Sequence, residues 1–190
     1  MGLREQTRSA VRNAIAERAV ALFDEKGFDA TTVDDIAAAA GISARSFFRY
    51  FPAKEDAVIG DQTELGGLVR DALAARPADE PPWRAMRAAL RPVVELVEQD
   101  VERSLRTVRV LTSTASLRAR NLEKHILWGH MLTPLMAQRL GPSATGDVPA
   151  QAIVVAGLSC LDVAFGGWVA AEGDADFGGL LDAAFAAVGD

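Results

Sequence analysis

The chain has 190 residues and 49 % of them are apolar, which is enough for a compact core in one domain or in a small module joined to a larger one. Alanine and leucine carry most of the apolar content and strand-like alternation is missing, so the composition argues against a sheet and for helices. The formal net charge of −6 is uneven, because residues 1–54 sum to +1 and residues 55–190 to −7, so a basic surface near the N-terminus is not excluded.

The N-terminal part predicts three helices. Apolar residues at helical spacing cover residues 7–26, and Gly27 follows as a left-handed cap. Thr32, with Asp35 three positions later, approximates a capping box at the start of a short second helix. Ser43 caps a third helix through Phe51, and the proline that follows ends it.

The rest of the chain predicts six longer helices separated by loops rich in glycine and proline. Their expected ranges are 56–76, 83–99 with a kink or break at Pro92, 102–114, 117–140, 149–171 and 177–188. Together with the first three they make about nine helices, and the predicted fold class is all-α.

The segment that joins the second and third helices has the properties of a helix-turn-helix. Ala40 is small enough for two helix axes to approach, Gly41 tolerates a left-handed turn, and Ile42 fills the angle between the helices. Ser43 leaves the first residues of the third helix free to enter a major groove. The third helix is expected to place Phe47 and Phe51 in the core, Phe48 near the boundary, and Arg45, Ser46, Arg49 and Tyr50 outside.

Residues 15–55 resemble the N-terminal domain of the TetR family of regulators. The resemblance is gap-free and rests on the runs Leu22-Phe23-Asp24-Glu25-Lys26-Gly27-Phe28, Thr31-Thr32-Val33-Asp34-Asp35-Ile36-Ala37, Ala40-Gly41-Ile42-Ser43 and Phe47-Phe48-Arg49-Tyr50-Phe51-Pro52. It implies a DNA-binding domain over residues 1–53 and a helical ligand-binding and dimerisation domain over residues 54–190. It also implies a homodimer formed through the helices at about 150–171 and 177–188.

The resemblance implies ten DNA-binding positions: Thr31, Thr32, Ser43, Ala44, Arg45, Ser46, Phe48, Arg49, Tyr50 and Lys54. Thr31 and Thr32 would hold a phosphate at the amide end of the second helix, and Tyr50 and Lys54 would bind phosphates beside the groove. The family commonly has tyrosine at position 48 and histidine at position 50. Phe48 cannot donate to a phosphate, so it either packs or touches a thymine methyl group, and Tyr50 is expected to supply the hydroxyl.

The C-terminal part resembles, more faintly, a TetR subgroup that senses acyl-CoA-like molecules. The resemblance rests on Leu117-Arg118-Ala119-Arg120, on a downstream tryptophan and on the alanine-rich helix that follows. It suggests a pocket for a small hydrophobic or acyl-CoA-like effector lined by Met86, Leu90, Arg109, Trp128, Phe165 and Trp168. The tryptophans could equally be core residues, and the arginine could equally form surface ion pairs.

Other interpretations of the sequence are weaker. Residues 152–171 are long enough to span a bilayer, but Gly157, Ser159 and Asp162 favour a buried helix and no membrane association. His125 and His130 do not share a helix face, so no metal site is expected, and neither is a cofactor. No catalytic set is recognisable, so an enzyme is not expected. The chain has a single cysteine and no visible signal peptide, and both features predict a cytoplasmic location.

These features predict a ligand-responsive regulator, most simply a repressor, that binds double-stranded operator DNA. A dimer would place two reading helices about 34–36 Å apart on a pseudo-palindrome. An unidentified small effector would then favour a dimer with the wrong spacing, with the helix after Lys54 as the lever. The alternative is a DNA-bound architectural or protein-interaction factor that has no small-molecule ligand.

Overall fold

The computed structural model describes residues 3–60 and 62–189, which form eleven α-helices and no strand. The predicted all-α fold class is therefore confirmed over this part of the chain. The helices are α1 (Leu3–Lys26), α2 (Val33–Ala39), α3 (Ala44–Tyr50), α4 (Asp56–Ile59), α5 (Gln62–Ala74), α6 (Pro82–Ala89), α7 (Arg91–Gln99), α8 (Val101–Ser113), α9 (Ala115–Leu140), α10 (Val148–Ala170) and α11 (Phe177–Gly189).

Two of the predicted helices are each divided into two, which turns nine into eleven. The prediction of one helix over residues 56–76 is wrong, because Gly60 adopts a φ of 73° and α4 ends there. The predicted break near Pro92 is confirmed. It separates α6 from α7 at Leu90, and the proline occupies the first turn of α7, where its missing N–H costs nothing.

The chain divides into two compact units. The first unit comprises Met1–Gly60 and Arg106–Asn121, and the second comprises Asp61–Leu105 and Leu122–Asp190. Residues 106–121 belong to the first unit because Val110 and Leu117 lie in its core. This division by contact differs from the expected functional boundary between residues 53 and 54, which stays a prediction.

The core of the first unit is aromatic and holds α1, α2 and α3 together. Its fully or nearly fully buried side chains include Ile15, Phe23, Phe28, Ile36, Phe47 and Phe51. The Phe23 and Phe28 rings lie 4.9 Å apart, and those of Phe47 and Phe51 lie 5.3 Å apart. Because one aromatic pair closes the α1–α2 loop and the other fixes α3, the core sets the orientation of the third helix.

In the second unit the two last helices bury one face and leave another exposed. Helix α10 buries Val154, Leu158, Leu161 and Trp168, and it leaves Val155 and Val163 more than half exposed. Among the described residues α10 is the one helix whose length and apolar composition would allow it to cross a membrane, with a mean hydropathy of 1.8. Its buried face is typical of a core helix, and its exposed valines leave an apolar surface without a partner.

Candidate nucleic-acid interface

The start of α2 is fixed by a reciprocal capping box, as the sequence predicts. The Thr32 hydroxyl accepts from the Asp35 backbone N–H at 3.1 Å, and the Asp35 carboxylate accepts from the Thr32 backbone N–H at 2.9 Å. The Thr32 hydroxyl also donates to that carboxylate at 2.6 Å. These hydrogen bonds from Thr32 lower the pKa of Asp35, because they favour its charged form.

The turn between α2 and α3 has the geometry that its residue types require. Gly41 has a φ of 67°, in the left-handed region. The Ile42 N–H donates to the Ala37 carbonyl at 2.9 Å and closes the end of α2. Ser43 caps α3 as predicted, since its hydroxyl accepts from the Ser46 backbone N–H at 3.2 Å. The turn is therefore held by local hydrogen bonds at both ends.

Helix α3 separates buried aromatic residues from an exposed polar side. Phe47 is fully buried, as is Phe51 at the C-cap, whereas Arg45 and Arg49 are exposed. Phe48 is 54 % exposed, so this ring is on the outer side rather than in the core. The other predicted positions on the helix, Ala44, Ser46 and Tyr50, are half-buried or exposed beside them. The surface that α3 presents is therefore basic, with one exposed aromatic ring.

Thr31 does not lie where the predicted phosphate contact requires it. Its side chain is 1 % exposed, and its hydroxyl donates to the Gly27 carbonyl at 2.8 Å. The hydroxyl therefore satisfies the C-terminal end of α1 and is not available to a phosphate. Thr32, the next residue, is exposed and remains on the outer side.

Lys54 has a structural contact in addition to any that it makes with DNA. Its ammonium donates to the carbonyls of Phe28 and Thr31, at 2.8 and 3.1 Å, and lies 4.2 Å from the centre of the Phe28 ring. An ammonium has three donors, so one N–H is left for another acceptor. Lys54 thus holds the α1–α2 loop beside the end of α3.

An ion pair that the sequence analysis missed fixes the segment after α3. One Asp56 carboxylate oxygen accepts from the Ala53 backbone N–H at 2.9 Å, and the other accepts from Nε and Nη2 of Arg120 at 3.1 and 2.8 Å. The Asp56 side chain is 11 % exposed and that of Arg120 is 36 % exposed. An aspartate three residues after Ala53 signals the local cap, but no pattern in the sequence indicates its distant arginine partner.

The six predicted effector-site residues lie in different surroundings. Met86, Leu90, Trp128 and Trp168 are core residues of the second unit, at most 1 % exposed. Phe165 is half-buried and its ring lies 4.6 Å from that of Phe177. Arg109 belongs to the first unit and is exposed. The assignment of these residues to one pocket stays a prediction.

Two open cavities in the second unit are lined by other residues. The larger, of about 760 Å³, lies among α6, α7 and α11 and is lined by residues that include Arg76, Trp83, Arg84, Arg87 and Phe185. The smaller, of about 550 Å³, lies between the end of α9 and the start of α10. None of the six predicted residues lines either cavity. The buried tryptophan and methionine side chains are therefore core packing in this structure.

Within the first unit, α2 and α3 form a helix-turn-helix whose second helix has a basic outer surface, which is the arrangement of a DNA-binding domain. Residues 15–58 match the family described as bacterial regulatory proteins, tetR family, and residues 80–190 match the MftR C-terminal domain. Because the second match alone covers more than half of the chain, the chain belongs to the TetR family of transcriptional regulators.

Named relatives agree with this family. The HTH-type transcriptional regulator TcmR of Streptomyces glaucescens is 30 % identical over 159 residues, which cover 80 % of this chain and 70 % of that protein. The putative mycofactocin biosynthesis transcriptional regulator MftR of Mycobacterium tuberculosis is 32 % identical over 146 residues, which cover 75 % of this chain and 72 % of that protein. The fold is similar to that of Thermus thermophilus FadR in complex with lauroyl-CoA, with a TM-score of 0.58 and 23 % sequence identity. The similarity covers 92 % of this chain and 91 % of that chain.

Proposed function

We propose that this regulator is a ligand-responsive repressor that binds a pseudo-palindromic operator as a homodimer. The observation that carries the proposal is the division of α3, which buries Phe47 and exposes Arg45, Phe48 and Arg49. Arginine side chains on an exposed, N-capped helix suit the major groove, where they can donate in pairs to guanine. The regulator would act in the cytoplasm, where it has access to DNA.

The roles of the individual residues follow from their exposure. Arg45 and Ser46 would reach base edges, with Ser43 and Ala44 at the entering end of α3 and Arg49 further along. Thr32, Tyr50 and Lys54 would bind phosphates, Lys54 through its remaining N–H. Phe48, more than half exposed, would touch a thymine methyl group. Thr31 would support this surface from inside through its bond to the end of α1.

A second copy of the chain is the proposed partner of α10 and α11. Val155 and Val163 on α10 and Val188 on α11 are each about 60 % exposed or more. Apolar side chains repeated along two neighbouring helices are typical of a homodimer interface, which is more apolar than the general surface. Burial of this surface would also account for the high mean hydropathy of α10 without a membrane.

The proposed effector is a small hydrophobic or acyl-CoA-like molecule bound in the second unit. The support is the fold similarity to a FadR whose structure contains lauroyl-CoA, together with the match to the MftR C-terminal domain. An effector needs only a differential affinity of a few kcal/mol for a non-binding arrangement to release the DNA. The Asp56–Arg120 ion pair is the proposed connection, because it ties residues of α9 to the segment that follows α3.

Footprinting and mobility shifts on DNA around the protein's own coding region test the proposal. We expect a salt-sensitive complex on a site with two-fold symmetry, and a small molecule that dissociates it. Arg45→Ala should weaken this complex, whereas Arg84→Ala removes the same charge from an exposed site in the second unit and should not. Absence of salt-sensitive binding to any duplex would contradict the proposal.

A further inference from the structure

Helix α9 carries a short apolar stripe, formed by Leu122 and Ile126, that is open to solvent. The two side chains lie one turn apart on the same face of the helix, and each is 60 % exposed. Trp128, which is 1 % exposed, marks the side of α9 that faces the core of the second unit. Exposed apolar residues that stand alone need no explanation, whereas a continuous apolar patch indicates an interaction surface. The surroundings of the α9 stripe therefore decide its meaning.

The α9 stripe lies beside α10. Nδ1 of His125 is 3.3 Å from a carboxylate oxygen of Asp162, so the two helices meet at this point. The end of α9 and the start of α10 line one cavity, which shows that the helices run antiparallel. With 3.6 residues per turn, Leu122 and Ile126 lie about 60° and about 100° round the helix axis from His125, in the same sense. The stripe therefore borders α10 on one side of the His125–Asp162 contact.

The exposed side of α10 belongs to the same surface. Ser159 and Val163 lie about 60° and about 100° round the axis from Asp162, again in the same sense, and both are exposed. Because the helices are antiparallel, these rotations bring both sets of residues to the same side of the pair. The exposed residues of α10, whose whole length is described, carry no charge, as is typical of the core of an interface. They are Val148, Gln151, Ala152, Val155, Ser159, Val163, Gly166, Gly167 and Ala170.

Helices α10 and α11 alone offer a small surface for a dimer. Of the described residues, nine on α10 and seven on α11 are exposed. A specific interface of ordinary size takes about 20–30 residues from each partner, and the interfaces of obligate homodimers are often larger. Exposed residues of these two helices are too few for such an interface, even if all of them were included. A neighbouring element is needed, and the α9 stripe continues the surface of α10.

We propose that Leu122 and Ile126 belong to the homodimer interface and pack against α10 of a second copy of the chain. This inference rests on the proposed function, which assigns the dimer to α10 and α11, and it adds α9 as a third helix. The two parts of the surface are complementary, because α9 presents bulky side chains and α10 presents small residues such as Ser159 and Gly166. In a two-fold symmetric dimer the bulky residues of each copy meet the small residues of the other, so both contacts form together.

The test is analytical ultracentrifugation of the full chain without DNA, which measures the dissociation constant of the dimer. Ile126→Glu should weaken the dimer at least about a hundredfold, because the new carboxylate would be buried in apolar surroundings without a partner. Leu68→Glu is the matched control. Leu68 lies on α5 and is 52 % exposed, so the same new charge there should leave the dissociation constant unchanged.

Gly166→Leu tests the surface without adding a charge. A Cβ atom at this position meets nothing within 4 Å outside the local helix backbone, so a side chain fits the isolated protomer. Leucine also favours a helix more than glycine does, so the variant should fold. In the dimer this leucine would fill space that the second copy occupies, and the dissociation constant should rise at least about tenfold. Circular dichroism of each variant measures whether its helix content matches that of the wild type.

Wild-type dimerisation of both Ile126→Glu and Gly166→Leu would overturn this surface. If Val163→Glu were monomeric in the same experiment, the proposed dimer through α10 and α11 would still stand. An equal loss in Leu68→Glu would also overturn the surface, since the effect would not depend on position. A wild type that stays monomeric would overturn both the surface and the proposed homodimer. A wild type that dimerises and is disrupted by Ile126→Glu, but binds no duplex, would support the surface and contradict the proposed function.

Discussion

The two units of this chain relate to the sequence in different ways. In the first unit the caps and turns depend on residues close together in the chain, such as Thr32 with Asp35 and Ser43 with Ser46. In the second unit the informative contacts join residues far apart, such as His125 with Asp162. Caps and turns fixed by neighbours in the chain can be predicted from the sequence, whereas contacts between residues distant in the sequence cannot.

The largest expected effect separates the two sides of α3. Phe47→Ala should lower the free energy of unfolding by about 3–5 kcal/mol, because it leaves a cavity in a fully packed core. Its neighbour Phe48 is 54 % exposed, so Phe48→Ala should cost less than about 1 kcal/mol. Denaturant unfolding of both variants measures the difference. Similar losses for the two would mean that the third helix is not oriented as described.

The next effect concerns DNA binding and compares Arg45 with Lys54. Arg45→Ala should weaken binding to the operator by about 1–3 kcal/mol, if its guanidinium donates to a guanine, and it should relax specificity there. Lys54→Ala should weaken binding to all sequences alike and reduce the salt dependence, because a phosphate contact carries no sequence information.

Mobility shifts on the operator and on base-substituted duplexes distinguish the two residues. Arg84→Ala is the matched control for charge. Unfolding of Lys54→Ala must be measured as well, because Lys54 also holds the carbonyls of Phe28 and Thr31. An effect of Lys54→Ala confined to one operator variant would argue against its phosphate role.

How far the sequence predicts this molecule depends on the range of the interactions involved. The caps at Thr32 and Ser43 and the turn at Gly41 are predicted correctly because each involves neighbours in the chain. Thr31 is predicted to help hold a phosphate, but it is buried, and its burial depends on how the α1–α2 loop folds onto the end of α1. No pattern in the sequence indicates this loop conformation.

The same reasoning applies to contacts in the C-terminal half that the sequence does not indicate. Trp128 is predicted either to line a pocket or to be a core residue, and its packing against Gly66 depends on two helices brought together by the fold. The two histidines are not expected to bind a metal, and no pattern in the sequence indicates the pairing of His125 with Asp162.

Removal of the ion pair between Asp56 and Arg120 should have an effect of intermediate size on stability. Arg120→Met should lower the free energy of unfolding by about 1–2 kcal/mol, because it leaves a mostly buried carboxylate with only its backbone partner. Arg118→Met, two positions earlier and exposed, removes the same charge and should cost less than about 0.5 kcal/mol. In the presence of an effector, Arg120→Met should also change the concentration that releases DNA. If only stability changes, the pair does not connect effector binding to DNA release.

The smallest expected effect concerns the capping box of α2. Thr32→Ala should cost about 1 kcal/mol of unfolding free energy, as is typical for loss of an N-cap hydroxyl. Thr32→Ser keeps the hydroxyl, so it is the matched control and should behave like the wild type within a few tenths of a kcal/mol.

The capping box also predicts the direction of a pH effect. Hydrogen bonds from Thr32 lower the pKa of Asp35 in the folded protein below its ordinary value of 3.8. The unfolded chain therefore binds a proton first, and the stabilisation is complete well above pH 3.8 and is lost as the pH falls through the folded pKa. Unfolding free energies from about pH 7 to about pH 3 should consequently decrease less steeply for Thr32→Ala than for the wild type. Parallel curves would show that the Thr32 hydroxyl does not stabilise the charged carboxylate.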